Sequence, residues 1–253
     1  MLKEKRTPHR LGAMRLDVFL VNKGFSESRS KAEEIIKSGK VKVNGKVIKK
    51  PAFLVEPNTN IEVESAAPSY VSRGGEKLAE ALKIFQIDVK NKTCLDIGAS
   101  TGGFTDCLLK NGAKLVYAVD VGKNQLHPSL RKNEHVVSFE ETDIRNFSLP
   151  KNTKVDFVCV DVSFISVIPI VKLIKKFLKP DGEAVILIKP QFEVGRGNLN
   201  KRGVVKNPLK SQQAVEEILK IVQREGYRIK GPIAPSLKGK AGNQEFLLYL
   251  KKA

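Results

Sequence analysis

The sequence has no apolar run approaching the ~20 residues that a bilayer core requires, which argues against a membrane-spanning helix. Its first residues, MLKEKRTPHRLGA, are basic but carry no apolar stretch. They therefore do not read as a secretory signal, and residues 1–13 are expected to be a disordered leader. Cysteine is scarce: Cys94, Cys107 and Cys159 stand apart, with no CxxC pair. Two of them lie in apolar strand-like runs, where a thiol behaves as a small hydrophobe. A disulfide framework is thereby excluded, and a reducing cytoplasm is the expected location. The three histidines (His9, His127 and His135) have no ligand-like spacing to these cysteines, so no metal site is expected.

Acidic residues are also in short supply. Asp and Glu total 27 against 45 Lys and Arg, a formal net charge of +18. A field of that sign attracts polyanions, either nucleic acid or an anionic membrane surface. The excess is shared: residues 1–65 hold 14 bases and 8 acids, and the remainder holds 31 and 19. In other respects the chain has the composition of a globular protein, 41% hydrophobic and 28% charged.

The hydrophobic pattern changes at Ser65-Ala66-Ala67-Pro68-Ser69, where small residues and a proline mark a seam. Residues 14–65 are expected to form a small α+β domain, 66–71 a linker and 72–253 a larger domain. Before the seam, residues 15–20 and 30–38 have helical spacing, with Ser26 or Ser28 as N-cap of the second helix. Residues 41–43 and 46–49 alternate about Asn44-Gly45, a strong hairpin signal because both turn positions need positive φ. A strand over 60–64 completes the unit.

After the seam, strand-like runs at 93–97, 115–120, 136–139, 155–160, 183–189, 227–230 and 246–250 alternate with amphipathic stretches, notably 167–178 and 211–225. Such alternation predicts a doubly wound, mainly parallel sheet with ligands at the carboxyl ends of its strands.

Two features of this half suggest chemistry. The first is LDIGASTGGFTD, a strand, a glycine-rich turn and a helix start. Gly98, Ser100, Thr101, Gly102, Gly103 and Phe104 form the turn, with Asp96 just before it. A carboxylate there would repel a pyrophosphate but suits the cationic amino-acid end of S-adenosylmethionine, favoured here over a dinucleotide. Asp120, ending the next strand, is placed to accept from ribose hydroxyls. Asp143 is a candidate for adenine, with a helix N-cap as the equal alternative. The second feature is VILIKPQFE, a strand of branched aliphatics that ends on Lys189 and is stopped by Pro190. The choice is between a lysine that snorkels to water and one held in a dry site for use. Asp161 ends another apolar strand, and Phe164, just beyond it, is either a stacking platform for a flipped base or a core residue. The segment 195–203, with Arg196, Lys201 and Arg202, is expected to be a flexible basic loop that orders over RNA or cofactor.

The segment RLDVFLVNKGFSESRSKAEEIIKSGKVKVNGKVIKK resembles the S4 RNA-binding module. The resemblance implies an RNA-facing surface that includes Arg15, Arg29, Ser30, Lys31, Lys40 and Lys42. From Met14 onward the chain is similar to the TlyA (hemolysin A) family, an S4 module joined to an FtsJ-like ribosomal RNA 2′-O-methyltransferase domain. This likeness implies a Rossmann-like sheet of seven strands with the last antiparallel, S-adenosylmethionine as cofactor, and ribosomal RNA or ribosomal subunits as partner with a cytidine acceptor. It also implies a Lys-Asp-Lys-Glu tetrad around the acceptor hydroxyl. SRGGEKL supplies Lys77, VCVDVSF supplies Asp161, ILIKPQFE supplies Lys189 and GNQEFLL supplies Glu245. Lys189 would then remove the hydroxyl proton or steer its oxygen, and as a base it must spend part of its time neutral. The hemolysin name raises a membrane-active alternative, which the lack of an apolar span or of a helix with a large apolar face disfavours. A further alternative is an RNA-binding factor with an inert catalytic domain.

Overall fold

The computed structural model describes residues 12–26, 28–63 and 69–252. Most of the expected leader (with His9), the seam up to Pro68, half of the expected linker and the last residue of the expected 60–64 strand lie outside the described residues. Backbone contacts divide the chain into two compact units at residues 67/68.

In the N-terminal unit, β1 (Met14–Arg15) leads into α1 (Leu16–Asn22), followed by α2 (Arg29–Lys37). Ser28 caps α2 by accepting from the Lys31 amide at 3.3 Å. Next come β2 (Val41–Val43), β3 (Lys46–Val47), β4 (Leu54–Val55) and β5 (Ile61–Val63). Asn44 and Gly45 both have positive φ (49° and 76°), the primed turn that matches strand twist. β2 lies between β3 and β5, while β1 pairs separately with β4. The sequence pattern did not reveal that short ribbon, since two-residue strands carry no periodicity. Leu16, Leu20, Ala32, Ile36 and Val41 are fully buried and form the core of the unit. Asp17 is buried as well, accepting from Arg15 at 2.8 Å and from Arg29 at 3.0 Å. The Arg15 guanidinium foremost, with that of Arg29, holds its carboxyl well below the usual carboxylate range, so one anion clasps both helices.

The C-terminal unit opens with α3 (Arg73–Phe85). It continues through β6 (Thr93–Ile97), α4 (Gly103–Lys110), β7 (Leu115–Val119), the short α5 (Pro128–Arg131), β8 (Val136–Phe139), β9 (Val155–Val160), α6 (Ile168–Phe177), β10 (Leu178–Ile188), α7 (Pro208–Arg224), β11 (Tyr227–Ile233) and β12 (Phe246–Lys252). The seven-stranded sheet runs β11-β12-β10-β9-β6-β7-β8. Strands β8, β7, β6, β9 and β10 are parallel, and β12 is antiparallel to both of its neighbours. This is the Rossmann-like architecture of S-adenosylmethionine-dependent methyltransferases. The central strands are covered on both faces, so they read as continuous Val, Ile and Leu runs rather than alternating ones. α7 begins three residues before the apolar pattern predicts, because Asn207 caps it and Pro208 takes the first helical position. Among the described residues no helix is long and apolar enough to cross a membrane.

All three cysteines are buried in this unit. Burial pushes the Cys94 and Cys107 thiols up to about 12 and raises the Cys159 thiol well above its ordinary value. The folded protein is therefore expected to resist a thiol-disulfide reagent at pH 8, with three thiols reacting once denaturant is added; titration with a chromogenic disulfide measures this.

Candidate active site

The carboxyl ends of β6, β7, β9 and β10 converge on one edge of the sheet. The glycine turn after β6 is fixed by contact with β9: Gly98 has φ +83°, and a Cβ there would lie 2.7 Å from the Asp161 carbonyl oxygen. Only glycine lets the turn pass so close to the end of β9. A second close approach joins the first turns of α3 and α4, where a Cβ on Gly103 would lie 2.9 Å from the Gly75 nitrogen.

Asp120 accepts from the Ser100 amide at 2.8 Å and from the Gly122 amide at 2.7 Å. Two strand-end loops thus hold its carboxylate, leaving it an oriented acceptor. Asp96 has no solvent exposure. One oxygen accepts from Thr105 Oγ1 at 2.7 Å and the other has no hydrogen-bond partner among the described residues. Burial drives its carboxyl up to about 7. A dry, half-satisfied carboxylate beside a glycine turn suits a cationic ligand group, and Asp120 suits sugar hydroxyls. Asp143 takes the capping role that the sequence left open. It accepts from the Arg145 amide at 2.9 Å and pairs with its guanidinium at 2.5 Å, and that ion pair holds its carboxyl down at about 2.

The four residues quoted for the tetrad gather beside this loop as two ion pairs. Lys77, in the second turn of α3, is 8% exposed and pairs with Glu245 at 3%. Burial disfavours this ammonium, and so does the nearby positive end of the helix dipole, so Glu245 is its necessary counter-ion. Gln191 donates to the other oxygen of Glu245 at 3.2 Å. In the second pair, Lys189 Nζ lies 2.6 Å from Asp161 and donates to Ser163 Oγ at 2.8 Å. The contact with Asp161 is close but not aligned as a hydrogen bond, since that carboxylate oxygen has no hydrogen-bond partner among the described residues. The two pairs share elements: α3 carries Lys77 and also Gly74, whose Cβ would sit 3.6 Å from Asp161. Lys189 and Gln191, two residues apart, serve one pair each. The second pair is the more open, with side chains 12% and 23% exposed.

Phe164 is not a core residue. It is 88% exposed, has φ +67° and lies against Phe192 with ring centroids 5.1 Å apart. A bulky residue held in that conformation in the open marks a strained, outward-facing site beside Asp161 and Lys189. The sequence reading missed Ser163 and Gln191. Neither carries a periodic signal: Ser163 follows the end of β9, and Gln191 lies in a 3-10 turn (Pro190–Phe192) that begins at the proline after Lys189.

The segment 195–203 is no flexible loop. Leu199 pairs with Val205, and Asn200 Oδ1 accepts from the amides of Arg202 (2.8 Å) and Val204 (3.0 Å), closing a tight hairpin. Lys201 and Arg202 project from it and Arg196 from the 3-10 turn (Arg196–Asn198) just before it, all three exposed and without an ion pair among the described residues. In the N-terminal unit, Arg29, Ser30 and Lys31 lie on the first turn of α2, while Lys40 and Lys42 flank the start of β2. Arg15 and Arg29 are drawn into the Asp17 clamp yet keep side-chain exposures of 41% and 57%.

The sequence model of the FtsJ-like methyltransferase family matches residues 70–252, and that of the S4 domain matches residues 14–61. The 16S/23S rRNA (cytidine-2′-O)-methyltransferase TlyA of Mycobacterium tuberculosis is 40% identical over 239 residues, 94% of this chain and 89% of that protein. Hemolysin A of Brachyspira hyodysenteriae is 45% identical over 239 residues, 93% and 99% of the two chains. A hemolysin-named protein of Streptococcus thermophilus superimposes with a TM-score of 0.73 at 38% identity, covering 96% and 90%. The chain belongs to the FtsJ-like methyltransferase family and carries an S4 domain.

Unequal burial of the two ion pairs predicts unequal costs. Lys77→Met or Glu245→Gln removes one partner of a dry pair and is expected to destabilise by about 3–5 kcal/mol, against under about 1 kcal/mol for Lys189→Ala, as measured by denaturant unfolding. Asp96 has its carboxyl raised from 3.8 to about 7, so its stability contribution is full below pH 4 and is lost as pH rises through 7. Asp96→Asn cannot ionise and should gain thermal stability over the parent between pH 5 and pH 8; a Tm difference independent of pH would refute this.

Proposed function

We propose that this chain transfers a methyl group from S-adenosylmethionine to a ribose 2′-hydroxyl of ribosomal RNA, with cytidine as acceptor, and works in the cytoplasm on ribosomal subunits. The observation that carries the reading is the pairing of Lys189 with Asp161 at the open edge of the cluster, beside the glycine turn. The relatives named as cytidine-2′-O methyltransferases and the S4 match support the choice of acceptor and partner.

Asp96 and Asp120, with the turn from Gly98 to Phe104, would hold the cofactor. When bound, it supplies an electrophilic methyl on a sulfonium. The residues of the chain must then align the acceptor and dispose of its proton. Lys189 is the group for that task, because it is the more exposed lysine and its ammonium is tethered on two sides, by Asp161 and Ser163. In its neutral form it takes the hydroxyl proton as the oxygen–methyl bond forms; in its charged form it orients the oxygen. Lys77 and Glu245, sealed beneath, fix the floor of the cluster and its net charge. Exposed Phe164 offers a face on which a base turned out of its stack can lie, reinforced by Phe192. Arg196, Lys201 and Arg202 from one unit, and Arg15, Arg29, Ser30, Lys31, Lys40 and Lys42 from the other, suit phosphates and the shape of folded RNA rather than base edges.

The test is to incubate the protein with methyl-labelled S-adenosylmethionine and intact subunits or ribosomes, then map the label. One phosphodiester should become resistant to alkaline cleavage, the mark of a 2′-O-methyl group. Lys189→Ala should lower transfer by at least about 100-fold while cofactor affinity stays within about twofold. Label that reaches no ribosomal substrate would overturn the reading.

A further inference from the structure

Asn243 is a buried polar side chain that the transfer chemistry leaves unused, at 5% exposure. Both ends of its amide are spent on the cationic hairpin: Oδ1 accepts from the Val205 amide at 3.0 Å, and Nδ2 donates to the Gly203 carbonyl at 2.9 Å. Its own carbonyl accepts from the Gly239 amide at 2.9 Å. Gly239 in turn walls in Glu245, since a Cβ there would come within 2.5 Å of Glu245 Oε1. One residue therefore touches both the hairpin that presents Lys201 and Arg202, with Arg196 in the turn just before it, and the turn that confines Glu245, two positions along the chain. The hairpin has freedom to move if that link is cut. Gly195, ahead of it, and Gly203, inside its turn, both have positive φ, and nothing stands within 4 Å of where their Cβ atoms would be.

We propose that Asn243 is a positioning residue that indexes the cationic hairpin to the Lys77–Glu245 floor. RNA phosphates held by the hairpin then place the acceptor ribose at a fixed distance from the cluster. The proposal rests on the reading of the chain as an RNA 2′-O-methyltransferase. A released hairpin must be re-ordered each time RNA binds, so loss of the link weakens RNA binding and leaves the charged cluster in place.

Two variants of the full chain separate this role from simple packing. Asn243→Ala removes both hydrogen bonds. Asn243→Asp keeps the side-chain size and can accept from Val205, but sets an oxygen against the Gly203 carbonyl, so it breaks one link without opening a cavity. Limited digestion with trypsin should leave the parent hairpin intact, cut Asn243→Ala at Arg196, Lys201 or Arg202, and give Asn243→Asp an intermediate rate. In methyl transfer to ribosomes, KM for the ribosome should rise about tenfold in Asn243→Ala with kcat within about threefold. A fall in kcat at unchanged KM would mean only a loss of folded enzyme and would overturn the proposal, as would full restoration by Asn243→Asp. Filter binding of structured ribosomal RNA needs no transfer and should weaken about tenfold in Asn243→Ala. Unaltered affinity overturns the positioning role whether or not the parent transfers methyl groups, whereas a parent that binds RNA but transfers nothing overturns only the function.

Discussion

An ammonium cannot be buried near the start of a helix without a counter-ion, and the catalytic unit is organised around satisfying that requirement. Lys77 lies in the second turn of α3, where burial and the helix dipole both oppose its charge. Glu245 answers it from the start of β12, so the ion pair fixes α3 against that strand. Gln191 then fixes Glu245 to the chain leaving β10, and the first turn of α3 lies beside Asp161 at Gly74. From one electrostatic need follows a common position for the ends of three strands and a helix.

The two lysines of the cluster have opposite surroundings, and a chemical division of labour follows. The Lys77 pair is dry and nearly closed. Lys189 sits at the rim, held by Asp161 and Ser163 and flanked by the Phe192 ring at 6.0 Å. In the proposed transfer the first pair would form a rigid floor and the second a reactive edge. The greasy run before Lys189 belongs to the floor: Val185, Ile186, Leu187 and Ile188 are core, at 1% exposure or less.

Features whose cause lies within a few residues could be read from the sequence. The Asn44-Gly45 turn, the Ser28 cap and the glycine turn after β6 each follow from local chemistry, and the buried parallel strands announce themselves as apolar runs. The division of the four site charges into two pairs could not be read, because Lys77 and Glu245 are 168 positions apart. The hairpin at 195–206 read as a loose basic loop because side-chain bonds from Asn200 and the remote Asn243 hold it, and neither bond has a periodicity. Asp143 illustrates a different limit. A carboxylate after a strand serves a ligand or caps a turn equally well until the position of Arg145 is known.

β12 is made after every other strand of the sheet, yet it inserts between β11 and β10. At about 5–20 residues per second of synthesis, Lys77 emerges on the order of ten seconds before the glutamate that neutralises it. Throughout that interval the α3 lysine has to stay in water, and α3 cannot close down on the sheet edge. The S4 unit is made earlier and has its own core, so its folding does not wait for this step. The order of synthesis thus builds the grip on RNA before the transfer site, and the last strand is the latch that completes the enzyme.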